Sequence, residues 1–470
     1  MKNTTLIILL SLTFCSCAPN LDVPNHAYLG GQIINPSSDY LILRNANDAI
    51  DTLYLDDKNR FSYRVNDLKP GLYSLVYGSE PQLILIEPAD SILIRMNTID
   101  IDESLVFSGK GAKKNNYLIN LVNTQQNEFR ATSRYAKLEP KAFQTKLDSI
   151  RDRKYKKLEV FNKKNDGFSE LFKKISKATI DYNYYANKEL YHSRHFGNNK
   201  AIDHDKLPKD FYAFRKTIDY NDQDLEVFHL YNNFLFPHFN NLAADSYFEI
   251  YDEDVFNRNS VEYNLIKLDL MDSLLHNKSI KNNLIRFTTS NFLARNTSSE
   301  ASKRVFESFL EKSTNKQYID NIKNFYYTLE RLQPGEKFPE IEIVDTQRQF
   351  NTINKTSEKP KVIYFWRNVF KNHFVNSHKK AQKLRDTYPN VDFIAINIDE
   401  ISDYVWKRNL KENDFDITHE YKFRNPNIAK RLLAISYVSK VIVIDANGDI
   451  INPNVNLFGQ DLINTLKRLR

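Results

Sequence analysis

Hydrophobic and polar positions along the chain fall into three successive regimes. From Tyr28 to about Gly111, short apolar runs recur at Ala27–Asn35, Asp39–Arg44, Ile50–Leu55, Arg60–Val65, Leu72–Tyr77, Leu83–Glu87 and Ser91–Met96. Turn formers separate them: Pro36-Ser37-Ser38, Asp56-Asp57-Lys58-Asn59, Lys69-Pro70-Gly71 and Pro88-Ala89-Asp90. Short runs punctuated in this way predict strands, and a spacing near ten residues predicts a sandwich or barrel. From about residue 113 to 333 the period becomes helical. Phe143, Leu147 and Ile150 share a face, as do Leu171, Ile175, Ala178 and Tyr182, and Leu225, Phe228, Tyr231 and Leu235. Pro208, Pro237 and the Asn/Asp clusters around Asn198 and Asn221 predict breaks. Later helices are expected near Ile266–Leu275, Lys281–Leu293, Ser302–Glu311 and Asn315–Arg331.

The third regime is a strand–helix–strand pattern. Val362–Trp366 is an apolar run of strand length. Phe370, Phe374, Ser377, Ala381, Leu384 and Tyr388 then fall on one helical face, and Pro389-Asn390 breaks the chain. A second apolar run, Phe393–Ile398, ends at Asp399. Elements of these lengths predict a βαβ unit with parallel strands. Downstream come a helix containing Trp406, another from Asn425 to Ala434, and a buried strand at Val441–Asp445. The turn Ala446-Asn447-Gly448-Asp449 leads into Ile450-Ile451, and a helix from Gln460 to Leu469 follows. The fold class is therefore multidomain α+β: a small β-sandwich or barrel, an all-α middle and an α/β C-terminal domain.

Composition sharpens this in two places. The chain has 470 residues, 41% hydrophobic and 27% charged, which is globular and too long for one ordinary domain. The net charge of +7 is spread in mixed-sign stretches along the whole length, as in a solvated surface; the sharper reading is contact with acidic envelope polymers or lipid headgroups. Only 2 Cys are present, Cys15 and Cys17. No disulfide can staple the body of the protein, so its stability has to come from packing.

Those cysteines close a distinctive leader. Lys2 gives a positive start, and Leu6–Phe14 is apolar but too short to span a bilayer as a helix. The stretch resembles a bacterial lipoprotein signal peptide. That resemblance implies cleavage after residue 17's small neighbour Ser16, a lipid on Cys17 and a cell-envelope location, anchored to a membrane and facing the periplasm or cell surface. Cys15 follows the bulky Phe14 and fits less well. Residues 1–17 would then be the signal peptide and 18–27 a tether, and a nucleic-acid partner is not expected.

The third regime resembles the thioredoxin-like domains of TlpA/ResA-like thiol:disulfide exchange proteins. Pro334-Gly335-Glu336-Lys337-Phe338-Pro339 looks like their entry, and Phe365-Trp366-Arg367-Asn368-Val369 looks like the approach to their dithiol. The block at 28–112 resembles the DUF4369-like β-domain that precedes such modules in Bacteroidota lipoproteins. The implied organisation is β-domain 28–112, helical region 113–333 and thioredoxin-like domain 334–470. The two cysteine positions of the family fall on Phe370 and His373, and the position of its cis-proline falls on Ser439.

Thiol–disulfide exchange needs a thiolate at a helix start and a second thiol beside it. Phe370 offers no nucleophile, and the His373 imidazole cannot form a mixed disulfide. The expectation is a redox-inactive domain that binds or scaffolds a protein, peptide or glycan, with Trp366, Phe370, His373 and Ser439 lining the groove. The resemblance alone would imply an oxidoreductase or antioxidant, and a non-thiol activity in the helical region is the third reading. No cofactor and no metal site are expected. His373 and His378, five residues apart, face about 140° apart on a helix. His204 between Asp203 and Asp205, and His419 near Asp416, lack a second histidine at ligand spacing. The helix dipole is expected to hold His373 neutral.

Overall fold

The computed structural model describes residues 25–45, 48–78, 80–251, 257–296, 298–355 and 358–469. Cys15 and Cys17 lie outside the described residues. The chain is mixed α/β and divides into two compact units. One holds residues 1–131, 150–181 and 227–229; the other holds 132–149, 182–226 and 230–470.

The first unit contains β1 (His26–Ile34), β2 (Tyr40–Asn45), β3 (Asp48–Tyr54), β4 (Arg60–Asn66), β5 (Gly71–Tyr77), β6 (Glu80–Ile86) and β7 (Ser91–Asn97). Each expected run is a strand, with small shifts at its ends. They form two sheets, β4-β1-β7-β8 and β3-β2-β5-β6, whose inward residues share one core that includes Leu29, Leu41, Phe61, Leu75, Ile86 and Ile94. A short helix, α1 (Ile101–Ser104), precedes β8 (Val106–Lys110), which the pattern did not announce. Gly109 is what lets β8 pair. Gly109 has φ +88°, and a Cβ at that position would stand 2.3 Å from the Ser91 carbonyl oxygen on β7.

α2 (Ala112–Tyr135) begins against these strands. Lys114 Nζ donates to Glu87 and to Asp90, each at 2.6 Å. Asn115 satisfies both backbone groups of Leu85, and Asn116 both of Phe107. Parts of α3 (Pro140–Lys164) and α4 (Glu170–His195) complete the unit. Leu121, Leu158 and Ile180 pack together, and Gln125 donates to the Thr179 carbonyl at 2.6 Å.

The second unit holds α5 (His229–Ile250), α6 (Val261–Leu274), α7 (Lys278–Arg295), α8 (Ser299–Lys312) and α9 (Lys316–Glu330). Ser260, Asn277, Ser298 and Asn315 cap the last four by accepting from first-turn amides, which explains where each starts. Two helical expectations are corrected. Pro237 does not break the chain: it lies inside α5, where Phe234, Leu235, His238 and Phe239 are all fully buried, so packing outweighs the lost backbone bond. Leu225 and Phe228 do not share a helix with Tyr231, because Leu225 closes a short 3-10 turn capped by Asp222 and α5 starts only at His229.

A seven-stranded sheet follows, ordered β10-β9-β13-β12-β11-β14-β15. Its strands are β9 (Glu342–Asp345), β10 (Phe350–Thr352), β11 (Lys361–Trp366), β12 (Asp392–Asn397), β13 (Glu420–Phe423), β14 (Lys440–Ile444) and β15 (Ile450–Asn456). The helices are α10 (Lys371–Thr387), α11 (Asp403–Glu412), α12 (Pro426–Leu432) and α13 (Gln460–Arg468). β11 and β12 pair in parallel, as the βαβ reading predicts, and β14 runs antiparallel to β11. One face of the sheet carries Val362, Tyr364, Trp366 and Phe393 against Phe374, Leu384, Trp406 and Leu466 of the helices. The other face carries Ile363, Phe365, Ile394 and Ile396, packed with Phe325 and Leu329 of α9. Hydrogen bonds also link the sheet region to α7: Tyr437 Oη and Asn454 Nδ2 donate to the Ala294 carbonyl.

Candidate functional site

β11 is buried along its whole length, and the chain leaves the sheet at Trp366. The loop that follows is pinned by Asp399. Arg367 Nε donates to Asp399 Oδ1 at 2.6 Å, and the Asn368 amide donates to Oδ2 at 2.7 Å. Asn409 of α11 donates to Asn368 Oδ1 at 2.8 Å. The loop therefore has a fixed shape, with two apolar side chains turned outward: Val369 is 67% exposed and Phe370 47%. The Arg367 guanidinium lies 5.6 Å from the Phe370 ring centroid. Phe370 is the residue before α10, and no side chain caps that helix start.

His373 lies in the first turn of α10, half-buried, with Ser377 Oγ at 3.3 Å from its Nε2. Its pKa lies below the ordinary 6.5, first because of burial and second because of the His378 charge. The direction agrees with expectation. Desolvation is the leading cause, in place of the helix dipole that the sequence suggested. Ser439 is half-buried just before β14. Since Val441 pairs with Tyr364, Ser439 stands at the same sheet end as Trp366, where the loop begins.

Trp366, expected on the groove, is fully buried and offers no surface. β11 is central in the sheet, so both of its faces are covered. Its indole Nε1 instead donates to Glu420 Oε2 at 3.2 Å. Glu420 Oε1 lies 2.6 Å from His378 Nε2, and His378 Nδ1 lies 2.8 Å from the Phe374 carbonyl. A carbonyl can only accept, so Nδ1 carries a hydrogen, and one further proton is shared between Nε2 and the carboxyl group. Burial holds the Glu420 carboxyl above its ordinary 4.5, against the opposing bonds from His378 and Trp366. Phe415 stacks on His378 with centroids 4.6 Å apart. This buried triad ties β11, α10 and β13 together at the strand end where the loop begins.

The sequence reading missed Glu420 because β13 is four residues long and half polar. It did carry a sign of His378, which follows Phe374 at helical spacing and so falls on the buried face of α10. The remaining candidates do not join the site. His204 meets Asp245, at 3.2 Å, rather than its neighbours Asp203 and Asp205, and Asp416 accepts from Thr418. Among the described residues no group of three or more His, Cys, Asp or Glu side chains is placed to hold a metal ion.

Solved structures are similar to a part of this chain. The thioredoxin domain of a thiol-disulfide oxidoreductase from Bacteroides vulgatus is 18% identical and covers 30% of this chain and 99% of that one, with a TM-score of 0.25. An uncharacterized thioredoxin-like protein from Porphyromonas gingivalis is 20% identical over 28% of this chain and 90% of that one, at 0.24. A peroxiredoxin-like protein from Aquifex aeolicus is 17% identical over 30% and 89%, at 0.25. No protein-family model and no curated protein matches the chain.

The helical part of the second unit contains its own buried polar centre. Glu189 accepts from Arg215 through both oxygens at 2.8 and 2.7 Å, from His238 Nδ1 at 2.7 Å and from Asn241 at 2.6 Å. Tyr220 Oη lies 2.7 Å from His238 Nε2. Burial alone would raise the Glu189 pKa, but the Arg215 charge and these bonds hold it below the usual range. Every carboxylate lone pair is engaged, and the Glu189 and His238 side chains are fully buried, so the cluster clamps α4 to α5.

Proposed function

We propose that this chain is an envelope lipoprotein whose thioredoxin-like part binds a protein or peptide partner and exchanges no disulfides. The observation that supports this reading is the loop at 367–370. At the first of the two positions where the family resemblance puts a cysteine, the chain presents Phe370 to solvent, with Val369 exposed beside it, after a backbone segment pinned by Asp399. Exposed apolar and aromatic residues on a rigid frame suit an anchor for a partner, because little ordering entropy is lost on binding. Thiol–disulfide exchange, the activity that the sequence resemblance alone would imply, requires a thiolate, and the only cysteines here are at 15 and 17. In this reading Cys17 carries lipid and holds the protein to a membrane.

The test is a crosslinking pull-down from intact envelopes, comparing the wild type with a Val369→Asp, Phe370→Asp double variant. A specific partner captured by the wild type and lost from the folded double variant supports the reading. Equal capture by both, or capture by neither, rejects it. In parallel, Cys17→Ala should move the protein into the soluble envelope fraction.

A further inference from the structure

A cavity of about 200 Å³ opens among α5, α6, α7 and the turn before α6, well away in sequence from the loop at 367–370. Its wall carries three cations, Arg258, Lys267 and Arg295, and the amides of Asn240, Asn264 and Asn291. Among the described residues no Asp or Glu lines it.

Lys267 is the decisive residue. It is only 8% exposed, and spacing from Tyr263 and Met271 places it on the inner face of α6. Its Nζ donates to Asn240 Oδ1 at 3.1 Å and lies 4.7 Å from the Tyr263 ring centroid. Among the described residues no carboxylate forms an ion pair with it. An ammonium has three donors, and a buried one is ordinarily matched by an anion. Lys114, also buried, follows that rule with Glu87 and Asp90. Lys267 departs from it and faces a space instead. Burial and the Arg258 charge push its pKa down to about 7. An anion entering the cavity would reverse that shift and draw a proton onto the amine.

The rest of the wall says what the anion would be attached to. Phe236 and Phe287 pack with ring centroids 4.4 Å apart, and Met271 and Phe292 also reach the cavity. The volume lies below the range of drug-sized pockets, so the ligand is small. We propose that this cavity binds a small organic oxyanion, a carboxylate or phosphate group on a short apolar or planar body, with Lys267 at the charge.

Calorimetric titration of the full chain at pH 8 tests this, with inorganic phosphate and benzoate as probes and benzyltrimethylammonium as the cationic control. Two buffers of different ionisation enthalpy read proton uptake. The expected result is saturable binding of at least one anion with proton uptake, and no binding of the cation. A response to phosphate alone points to phosphate or its esters, and a response to benzoate alone to a carboxylate. Lys267→Met should weaken binding at least tenfold, while Lys267→Arg should keep it within a few-fold. If Lys267→Met does not fold, Arg295→Gln should weaken binding in its place. No saturable heat from either anion up to about 10 mM, or binding that Lys267→Met leaves unchanged in a folded protein, overturns the proposal.

Discussion

Replacing Glu420 separates the roles of its charge and of its hydrogen bonds. In Glu420→Ala, His378 Nε2 and Trp366 Nε1 lose their acceptor, and both residues are buried. Each stranded buried group costs about 1–3 kcal/mol, so with the cavity left behind the loss should be about 3–5 kcal/mol. Glu420→Gln is predicted to behave differently. The Phe374 carbonyl fixes a hydrogen on His378 Nδ1, which leaves Nε2 of the neutral ring free to accept from the new amide. The amide oxygen then accepts from Trp366, so every group stays paired and the cost should be below about 1 kcal/mol. Urea unfolding followed by tryptophan emission is the assay. The chain has 2 Trp, Trp366 and Trp406, both buried in the sheet region, so the signal reports this part directly. The pH dependence adds a sign. The folded Glu420 pKa is raised above the ordinary 4.5, so its contribution is fully present below that pH and is lost as pH rises through the raised value. Glu420→Gln should therefore gain on the wild type as pH rises from 4.5 towards neutrality. Equal costs for Ala and Gln, or an Ala cost under about 1 kcal/mol, would refute the reasoning.

Other predictions follow from single sites. Gly31→Ala should lower thermal stability by roughly 3 kcal/mol or more, because the new Cβ would stand 1.9 Å from the Ile94 carbonyl oxygen on the neighbouring strand. Glu189→Ala should cost about 3–5 kcal/mol in denaturant titrations, since it leaves the buried His238 and much of Arg215 unmatched. Burial pushes Lys440 and Lys267 down to about 7 from the ordinary 10.5. The unfolded chain then binds more protons between these values, so stability should rise with pH from about 7 to 9 and rise less in Lys440→Met. Phe370→Cys combined with His373→Cys should create disulfide reductase activity that neither single variant shows, measured by insulin reduction with a dithiol donor.

The sequence was most informative where periodicity and punctuation agree. The strands of the first sheet pair and the βαβ unit could be read directly, because alternating or all-apolar runs end at Pro, Gly or Asp. It was least informative where meaning depends on distant partners. β8 carries no run that the pattern marks, and the positive φ of Gly109 within it is only intelligible beside Ser91. Pro237 looked like a break because the chain around it does not show how completely Phe234 and Phe239 are buried. Phe370 and His373 were placed by their offset from Trp366, and the structure puts both at the start of α10. Trp366 itself was put on the surface, although its own all-apolar strand already implied a central, covered position. Glu420 and Lys267 were not visible as partners. One sits 42 residues from His378. The other looks like any solvated helix lysine until its spacing from Tyr263 and Met271 is followed.

The central claim, that the loop at 367–370 receives a partner, is tested most directly by a photo-crosslinking amino acid placed at position 370 in the full-length protein in living cells. The control is the same probe at Phe350, an exposed residue of the edge strand β10 in the same unit. The account predicts a discrete crosslinked species from position 370 that is absent from position 350 and is diminished by Val369→Asp. No adduct at 370, or the same adducts from both positions, would contradict it.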